Sequence, residues 1–360
     1  MINVTKPFLP PIEDYQAYIK DIWQRNWVTN NGPLVNELEL KLKEYLKLKH
    51  MLFLSNGTIA IQIAIKALEL RGEIITTPFS YVATTSSIIW EGCTPIYVDI
   101  DPLTFNIDPS KIEAAITSHT SAILATHVYG NPCDIDAINV LARKHNLKVI
   151  YDAAHCFGTT YKGKSVFEYG DITTTSFHAT KIYHSIEGGA VFTNDPELLK
   201  KMSFLRNFGH NGPDVFTEVG INGKNSEMHA AMGLCILNYI DAIMDKRKNQ
   251  WLHYKEILKG LNVQSLALYD ANGFNYAYYP IVFSDEEQLL KSVNSLNLNL
   301  ISPRRYFYPT LNKLPYNKNA AECSVAEALS PRVLCLPLYD SLAVSEQNMI
   351  ARILLRVQNN

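Results

Sequence analysis

The sequence predicts an α/β protein with a mostly parallel central sheet in a large domain and a smaller α/β domain at the C-terminal end. Short runs rich in β-branched residues alternate with helical patterns over most of the chain. The 360 residues are 47% hydrophobic and 19% charged, as in globular chains long enough to bury a large core. The alternation stops near residue 240, so we predict domains at 1–240 and 241–360.

The predicted strands of the large domain follow one another with helical stretches between several of them, which parallel strands require. In chain order these strands are HMLFLS (50–55), EIITT (73–77), TPIYVDI (94–100), AILATHV (122–128), LKVIYDAA (147–154), ITTTSFHA (172–179) and GGAVFTN (188–194). Dense apolar residues predict a buried helix at 58–70, and a second helix is predicted at 134–146. A long helix at 242–261 is predicted to open the smaller domain.

Charge and composition argue against several kinds of partner. The formal net charge is -2 and basic residues form no long run, so we expect neither nucleic acid nor an anionic membrane to bind. The longest uncharged stretch, Ile74 to Trp90, contains Pro78 and many hydroxyl residues, and the first residues lack an apolar signal-peptide core. Six scattered cysteines without a CxxC pair suit free thiols in the cytoplasm and indicate no metal site.

The first chemical signal is Asn56-Gly57-Thr58, between a predicted strand and a predicted helix. Gly57 allows a tight turn, and Thr58 offers a hydroxyl and a helix N-cap. The free amides at the start of a helix suit a phosphate. The motif matches no phosphate-loop signature, so a capped helix without a ligand is the alternative.

Two ionisable residues follow at the ends of later strands. Asp152 ends a strongly apolar strand, where ligands of open α/β sheets bind, and a buried carboxylate there requires a cation or several donors. Lys181 follows an uncharged strand and precedes the turn Glu187-Gly188-Gly189. With an ordinary pKa of about 10.4, its amine must be desolvated or held as an imine to do chemistry. A helix cap at Asp152 and a surface lysine at 181 are the structural alternatives.

An anion site, a strand-end acid and a strand-end lysine are the parts that a protein supplies to pyridoxal 5′-phosphate. They serve the phosphate, the ring nitrogen and the covalent link, respectively. A thiol nucleophile at Cys156 with His155 as its base is a weaker alternative, because neighbouring strand residues point to opposite faces of a sheet. His178 and His184 have no metal-ligand spacing with a further ligand.

The sequence also resembles the DegT/DnrJ family of sugar aminotransferases, which have the fold-type-I architecture of aspartate aminotransferase. The resemblance covers nearly the whole chain. It is carried by TNNGPLVNELE, SNGTIAIQIAIKAL, TTPFSYVATTSSIIWEGCTPIYVDIDPLTFNID, HVYGNPCDIDAI, VIYDAAHCFG, GDITTTSFHATKIYHSIEGGAVFTND, RNFGHNGPDVFTEVGINGKNSEMHAAMGL and LSPRVLCLPLY. The resemblance implies an enzyme.

The resemblance implies roles for residues around the cofactor. Lys181 matches the lysine that forms the Schiff base, and Asp152 matches the acid that pairs with the pyridinium nitrogen. Tyr81 matches the aromatic residue that stacks on the ring. The residues that match the phosphate site are Gly57, Thr58 and Ser176. Many family members have glutamine where this chain has His155, so a contact of His155 with the ring hydroxyl is expected.

The resemblance also implies a homodimer with shared active sites. Asn222 matches an asparagine that reaches the phosphate of the neighbouring subunit's cofactor. Many members read Asn-Tyr-Arg where this chain has Asn222-Gly223-Lys224. Lys224 is therefore expected to place a positive charge near the substrate without the two-pronged hydrogen bonding of arginine.

The implied reaction transfers the amino group of L-glutamate to a nucleotide-linked keto-deoxy sugar. The sequence looks like those of enzymes that convert dTDP-4-keto-6-deoxy-D-glucose to dTDP-4-amino-4,6-dideoxy-D-glucose, a reaction of O-antigen and other surface-glycan biosynthesis. The segment RRYFYP is expected to bind the nucleotide, through Arg304, Arg305, Tyr306 and Tyr308, with interface packing as its alternative. The alternatives are amination at C-3 of a dTDP-3-keto-6-deoxyhexose, a sugar dehydratase and a cofactor-binding regulator without turnover. Lys181 argues against the dehydratase, because the related dehydratases have histidine at that position.

Overall fold

The computed structural model of the protein describes residues 1–317 and 321–359. Its helices are α1 (Ile12–Arg25), α2 (Pro33–Leu46), α3 (Gly57–Ala67), α4 (Val82–Trp90), α5 (Pro109–Ile112), α6 (Ile135–His145), α7 (Pro196–Leu205), α8 (Glu227–Leu237), α9 (Ile240–Ile257), α10 (Glu286–Leu298), α11 (Ser324–Leu329) and α12 (Val344–Asn359). Short 3₁₀ helices occur at Glu113–Ala115, Val128–Gly130, Val166–Glu168, Leu311–Lys313 and Ser330–Arg332.

The strands are β1 (Ile2–Asn3), β2 (His50–Leu54), β3 (Glu73–Thr76), β4 (Thr94–Tyr97), β5 (Thr120–Thr126), β6 (Lys148–Asp152), β7 (Thr160–Tyr161), β8 (Lys164–Ser165), β9 (Ile172–Ser176), β10 (Gly189–Thr193), β11 (Gln264–Ser265), β12 (Tyr279–Val282), β13 (Ile301–Ser302) and β14 (Val333–Leu336). Each of the seven strands predicted for the large domain is present. The two predicted helices, and the long helix α9, are present as well.

Seven strands form the central sheet, in the order β2-β10-β9-β6-β5-β3-β4. Strand β10 is antiparallel to both of its neighbours, and the other adjacent pairs are parallel. All the strands except β10 therefore run in one direction. This confirms the prediction of a mostly parallel central sheet.

The strands of this sheet alternate between two apolar layers because successive side chains point to opposite faces. In β2, Leu52 and Leu54 pack in the layer that contains α3, whereas Met51 and Phe53 pack in the layer on the other face. Helix α3 is buried along most of its length and lies against β9 and β10. Its dense apolar sequence predicted this burial. Both faces of the sheet are thus covered, as is usual for parallel sheets.

The C-terminal part of the chain builds a second, smaller sheet. Strand β12 pairs antiparallel with β11 and with β14, and helices α10 and α12 pack against each other. The N-terminal strand β1 pairs in parallel with β13, so the start of the chain joins an element that follows residue 300. The division of the chain into domains at 1–240 and 241–360 stays a prediction.

The register of the central sheet brings several polar strand ends together. Thr126 at the end of β5 lies beside Asp152 at the end of β6, and Asp152 lies beside Thr174 of β9. Strand β2 runs in the same direction and leads into the start of α3 at this edge. Within residues 1–317 and 321–359, no helix is both long and apolar enough to cross a membrane.

Candidate active site

A cavity of about 300 Å³ lies at the edge of the sheet where β5, β6 and β9 end. It collects most of the residues that the sequence predicts for cofactor and substrate. The predicted residues that line it are Gly57, Thr58, Tyr81, Asp152, His155, Ser176, Lys181, Arg304 and Tyr306. These residues come from elements far apart in the chain, so the fold, not local sequence, assembles the site.

Lys181 lies in the loop between β9 and β10, which folds back on itself. Phe177 N donates to Gly188 O and Ala179 N to Ile186 O, both at 2.8 Å, and Lys181 N donates to His178 O. These bonds fix the backbone from which the lysine reaches the cavity. Desolvation lowers the pKa of Lys181 to about 8, although the negative charge of Asp152 opposes this change. A larger fraction of the amine is therefore neutral and nucleophilic near neutral pH than in an exposed lysine.

Asp152 is buried at the end of β6 and is held by two donors. Thr84 Oγ1 donates to its Oδ2 at 2.8 Å, and the backbone N–H of Ala154 donates to its Oδ1 at 3.1 Å. Desolvation raises the pKa of Asp152 in spite of both bonds and of the positive charge on Lys181. Keeping this buried carboxylate ionised therefore costs free energy, and a cationic group of a ligand would lower that cost. A protonated ring nitrogen is such a group.

The start of α3 forms a narrow cradle opposite Ser176. Asn56, rather than Thr58, caps the helix, because the helix begins at Gly57 and the Asn56 side chain accepts from Ile59 N at 2.9 Å. This corrects the cap predicted at Thr58. A Cβ added at Gly57 would lie 2.9 Å from Ser176 Cβ. The glycine thus permits the close approach of the α3 N-terminus to Ser176. The amides at the start of α3 and the hydroxyls of Thr58 and Ser176 can then bind one phosphate.

His155 presents a buried polar atom to the same region. Its Nδ1 has no hydrogen-bond partner among the residues that the structure describes, and burial holds its pKa well below the ordinary value. The neutral ring packs with its centroid 4.7 Å from that of Tyr278 and 5.9 Å from that of Phe307. Tyr81 is half-exposed at the position before α4 and lines the cavity. An imidazole nitrogen and an aromatic face are therefore available to a flat ring ligand.

The segment from Arg304 to Tyr308 divides between the cavity and the protein surface. Arg304 and Tyr306 line the cavity, and the guanidinium of Arg304 lies 4.7 Å from the Tyr306 ring centroid. Arg305 points elsewhere: its Nη2 donates to Glu286 Oε1 at 2.6 Å and to Pro331 O at 3.0 Å. Its guanidinium also lies 3.6 Å from the ring centroid of Tyr308, which is exposed. In this chain Arg304 is thus the arginine placed to meet a ligand.

Asn222 and Lys224 lie outside the lining of this cavity as the described residues define it. The backbone of their loop is fixed, because Gly223 O accepts from Ser55 N, just before the cradle. Lys224 Nζ lies 4.7 Å from the ring centroid of Phe208. Asn225 then donates from its side chain to Leu54 O and Glu187 O. The loop is therefore attached to the rim of the site while Asn222 itself is exposed.

Several lining residues were not predicted from the sequence. The cavity is also lined by Ser80 and Thr126. Both are joined to Asp152 by a series of hydrogen bonds through Thr84, which lies behind the lining. Tyr278 contributes from the residue before β12. Serine and threonine in a mixed stretch carry no distinctive pattern, and the tyrosine comes from a distant part of the chain. The hydroxyl-rich run in α4 was the available signal.

The donor set fits pyridoxal 5′-phosphate in each of its parts. The cradle suits the phosphate, the buried Asp152 carboxylate suits the ring nitrogen, and Lys181 supplies an amine of lowered pKa. The imidazole of His155, whose Nδ1 has no hydrogen-bond partner among the described residues, lines the same cavity. The fold and this arrangement define the class of pyridoxal phosphate-dependent enzymes of fold type I.

Comparisons with known proteins narrow this class. A model of the DegT/DnrJ/EryC1/StrS aminotransferase family matches residues 11–355. The dTDP-4-amino-4,6-dideoxy-D-glucose transaminase of Shigella dysenteriae is 43% identical over 348 residues, covering 95% of each chain. An Escherichia coli protein of the same name is 39% identical over 356 residues, covering 95% of this chain and 94% of that protein. The crystal structure of DesI in the presence of its TDP-sugar product matches with a TM-score of 0.93 at 31% identity, covering 99% of this chain and 92% of that one.

The chain belongs to the DegT/DnrJ/EryC1/StrS aminotransferase family. It is an enzyme, an aminotransferase that depends on pyridoxal 5′-phosphate. The family resemblance, the fold type and the cofactor predicted from the sequence are thereby confirmed. The roles assigned to single residues, and the composition of the site in a dimer, stay proposals.

Proposed function

We propose that the enzyme transfers the amino group of L-glutamate to C-4 of dTDP-4-keto-6-deoxy-D-glucose and releases dTDP-4-amino-4,6-dideoxy-D-glucose. The observation that carries the reaction type is the amine of Lys181, with a pKa of about 8, in one cavity with the buried carboxylate of Asp152. The choice of sugar is supported by the two relatives described above, which share one name and match this chain along nearly its whole length.

Bound pyridoxal phosphate supplies a conjugated ring system that accepts the electron pair released when a C–H bond next to the transferred nitrogen breaks. Lys181 would hold the cofactor covalently, and its amine would be free once the amino donor has bound. This neutral amine would take the proton from the donor carbon and pass it to the cofactor carbon that bears the nitrogen. In the second half of the reaction, it would take a proton back from that carbon and give it to C-4 of the sugar. A pKa near the working pH suits a group that both accepts and donates a proton.

Asp152 and the cradle would orient the cofactor. The carboxylate of Asp152, whose two oxygens accept from Thr84 and Ala154, would keep the ring nitrogen protonated and so strengthen the ring as an electron acceptor. The amides of Gly57 and Thr58 and the hydroxyl of Ser176 would bind the phosphate. His155, neutral because of its burial, would donate or accept at the ring hydroxyl.

The sugar nucleotide is proposed to enter over Arg304 and Tyr306. A guanidinium forms strong, directional bonds with diphosphate oxygens, and a tyrosine face packs against a base or a sugar. Arg305, also predicted for this role, bonds with Glu286 and lies over the ring of Tyr308, and we assign the diphosphate contact to Arg304. The carboxylate of the amino donor is proposed to bind Lys224 of the partner subunit. Among the residues described, Lys224 does not line the cavity of its own chain.

We further propose that the enzyme works in the cytoplasm as a homodimer and serves the synthesis of O-antigen or another surface glycan. Exposed apolar side chains on the loop before Asn222 support the dimer, because a partner would remove them from water. They are Phe208, Val215, Phe216, Val219 and Ile221. Asn222 of one subunit would then reach the cofactor phosphate of the other.

The test is the structure of the product. The purified enzyme is incubated with L-glutamate and either the 4-keto or the 3-keto sugar nucleotide, and the product is identified by NMR. We expect amination of the 4-keto sugar with an amine at C-4. Amination of the 3-keto sugar alone would contradict the proposed substrate, and loss of the hydroxyl without amine transfer would indicate a dehydratase.

A further inference from the structure

Three buried hydroxyl groups form a continuous chain that ends at the carboxylate of Asp152. Thr126 Oγ1 lies 3.0 Å from Ser80 Oγ, and Ser80 Oγ lies 2.8 Å from Thr84 Oγ1. Thr84 Oγ1 in turn lies 2.8 Å from Asp152 Oδ2. Each of these side chains is at most 5% exposed. The chain joins the end of β5, the loop before α4, the first turn of α4 and the end of β6.

Counting donors fixes the direction of every bond while Asp152 is ionised. A carboxylate can only accept, so Thr84 must give its single proton to Asp152. The bond between Ser80 and Thr84 then needs the proton of Ser80. The bond between Thr126 and Ser80 likewise needs the proton of Thr126. All three O–H dipoles therefore point toward the negative charge, and bonds in such a series polarise one another.

We propose that Thr84, supported by Ser80 and Thr126, is a positioning residue that keeps Asp152 ionised and fixes its orientation toward the cofactor ring nitrogen. The proposal rests on the role given to Asp152 in the proposed function. It goes further, because it assigns the charge state of the acid to three residues, of which Thr84 touches the carboxylate and the other two act through it.

The surroundings of Asp152 explain why such a chain is needed. Desolvation is the largest influence on its pKa and raises it, and the hydrogen bond from Thr84 is the largest influence in the opposite direction. Lys181 also faces the carboxylate, but its amine is consumed when it holds the cofactor covalently. Cys156 and His155 follow on the same chain segment, and burial keeps both of them uncharged. The hydroxyl chain is thus a permanent stabiliser of the charge, independent of the state of the lysine.

A neighbouring residue provides a matched control. Thr85 is as buried as Thr84 and lies on the same helix, but its hydroxyl bonds with Tyr97 OH at 3.0 Å. The variants Thr84→Val and Thr85→Val therefore remove the same atom from adjacent positions. Thr84→Ser keeps the hydroxyl and loses one methyl group. Ser80→Ala breaks the chain one step further from the acid.

The first measurement uses the protein free of cofactor. Labelling with ¹³C-aspartate, and assignment with Asp152→Asn, allow the carboxyl of Asp152 to be titrated by NMR. We expect a higher pKa in Thr84→Val than in the wild type, a smaller rise in Ser80→Ala, and recovery in Thr84→Ser. Thr85→Val should titrate as the wild type does. Equal titration of Thr84→Val and wild type would overturn the proposal.

The second measurement is the dissociation constant for pyridoxal phosphate, determined in a Lys181→Ala background to remove the covalent link. Loss of a hydrogen bond to a charged group predicts binding about tenfold weaker or more in Thr84→Val. The double variant Thr84→Val with Ser80→Ala should bind no worse than Thr84→Val alone, because Ser80 acts through Thr84. Additive losses would contradict the chain. Both readouts are independent of the sugar, so failure of the proposed substrate would leave them unchanged.

Discussion

Lys181 places its amine in a cavity that disfavours the charged form, and this has a consequence for stability. Its pKa in the folded protein is about 8, against 10.5 in an unfolded chain. Between these two values the unfolded chain binds more protons than the folded one, so folding becomes more favourable as the pH rises. Below about pH 8 the lysine is charged in both states and its destabilising effect is complete.

We therefore predict that the cofactor-free protein gains stability from Lys181 between pH 8 and 10.5. The free energy of unfolding, measured by urea denaturation across this range, should rise more for the wild type than for Lys181→Met. Lys164→Met, which changes an exposed lysine of β8, is the control and should follow the wild type. Parallel curves for wild type and Lys181→Met would show that the amine is not desolvated.

Lys181→Ala should also lose turnover, because among the residues described Lys181 is the only lysine that lines the cavity. Pyridoxal phosphate should still bind, because the cradle and Asp152 remain. Absorbance spectra after gel filtration, compared with those of borohydride-treated wild type, separate covalent from noncovalent binding. A variant with wild-type turnover would rule out the proposed mechanism.

Asp152→Asn keeps the volume of the side chain and removes its charge. The ring nitrogen would then lose the anion that keeps it protonated, and we expect kcat to fall by several orders of magnitude. Asp171→Asn is the control. Asp171 precedes the start of β9, away from the sheet edge that holds the site, and its Oδ2 accepts a hydrogen bond from Val149 N. A loss below about tenfold in Asp152→Asn, or about 1.4 kcal/mol, would mean that the acid is structural.

At the scale of elements, the segment from Arg304 to Tyr308 contains two adjacent arginines for which we predict different effects of substitution. Arg304→Gln should raise the KM for the sugar nucleotide about tenfold or more, because a charge-assisted bond to diphosphate is lost. Arg305→Gln should leave KM nearly unchanged and lower the free energy of unfolding by roughly 1 kcal/mol, since it breaks the ion pair with Glu286. Steady-state kinetics and urea denaturation of both variants check this. The reverse pattern would place Arg305 at the substrate.

The central elements could be predicted from the sequence because their pattern is local. Buried strands such as β5 and β6 are short apolar runs, and α3 is apolar on almost every side. Asp152 and Lys181 could be predicted as functional because a charged group that follows an apolar strand is costly to bury without a partner. The cradle at Gly57 was predicted from a glycine turn between a strand and a helix, although the N-cap is Asn56 and not Thr58.

Other features depend on contacts that no local pattern contains. The pairing of β1 with β13 joins two-residue strands almost 300 residues apart. Arg304 and Arg305 are neighbours of the same type, and their different directions are set by Glu286 and Cys335, which lie elsewhere in the chain. The role of Thr84 likewise follows from its approach to a carboxylate on another element. The chemistry of the site could therefore be predicted from the sequence. Which of the surrounding residues face the cavity, and which make structural contacts, could not.

At the scale of the whole molecule, the loop of residues 208–224 supports the proposed dimer. It carries exposed apolar side chains and the exposed Asn222, yet its backbone is tied to the cradle through Ser55 and Gly223. A loop so anchored has a fixed direction, and an apolar surface on it favours a partner. A second copy of the chain is the proposed partner, with Asn222 at the other subunit's cofactor phosphate.

The last prediction tests this shared site with mixed dimers. A chain with Lys181→Ala and a chain with Asn222→Asp should each be inactive alone, the second because its added negative charge repels the phosphate. In a hybrid dimer both changes fall in one site, so the other site is intact and each hybrid should regain about half of the wild-type activity. Asn211→Asp, on the same exposed loop, is the control and should remain active by itself. If hybrids are isolated by two affinity tags and recover no activity, Asn222 does not act across the interface and the shared-site proposal must be abandoned.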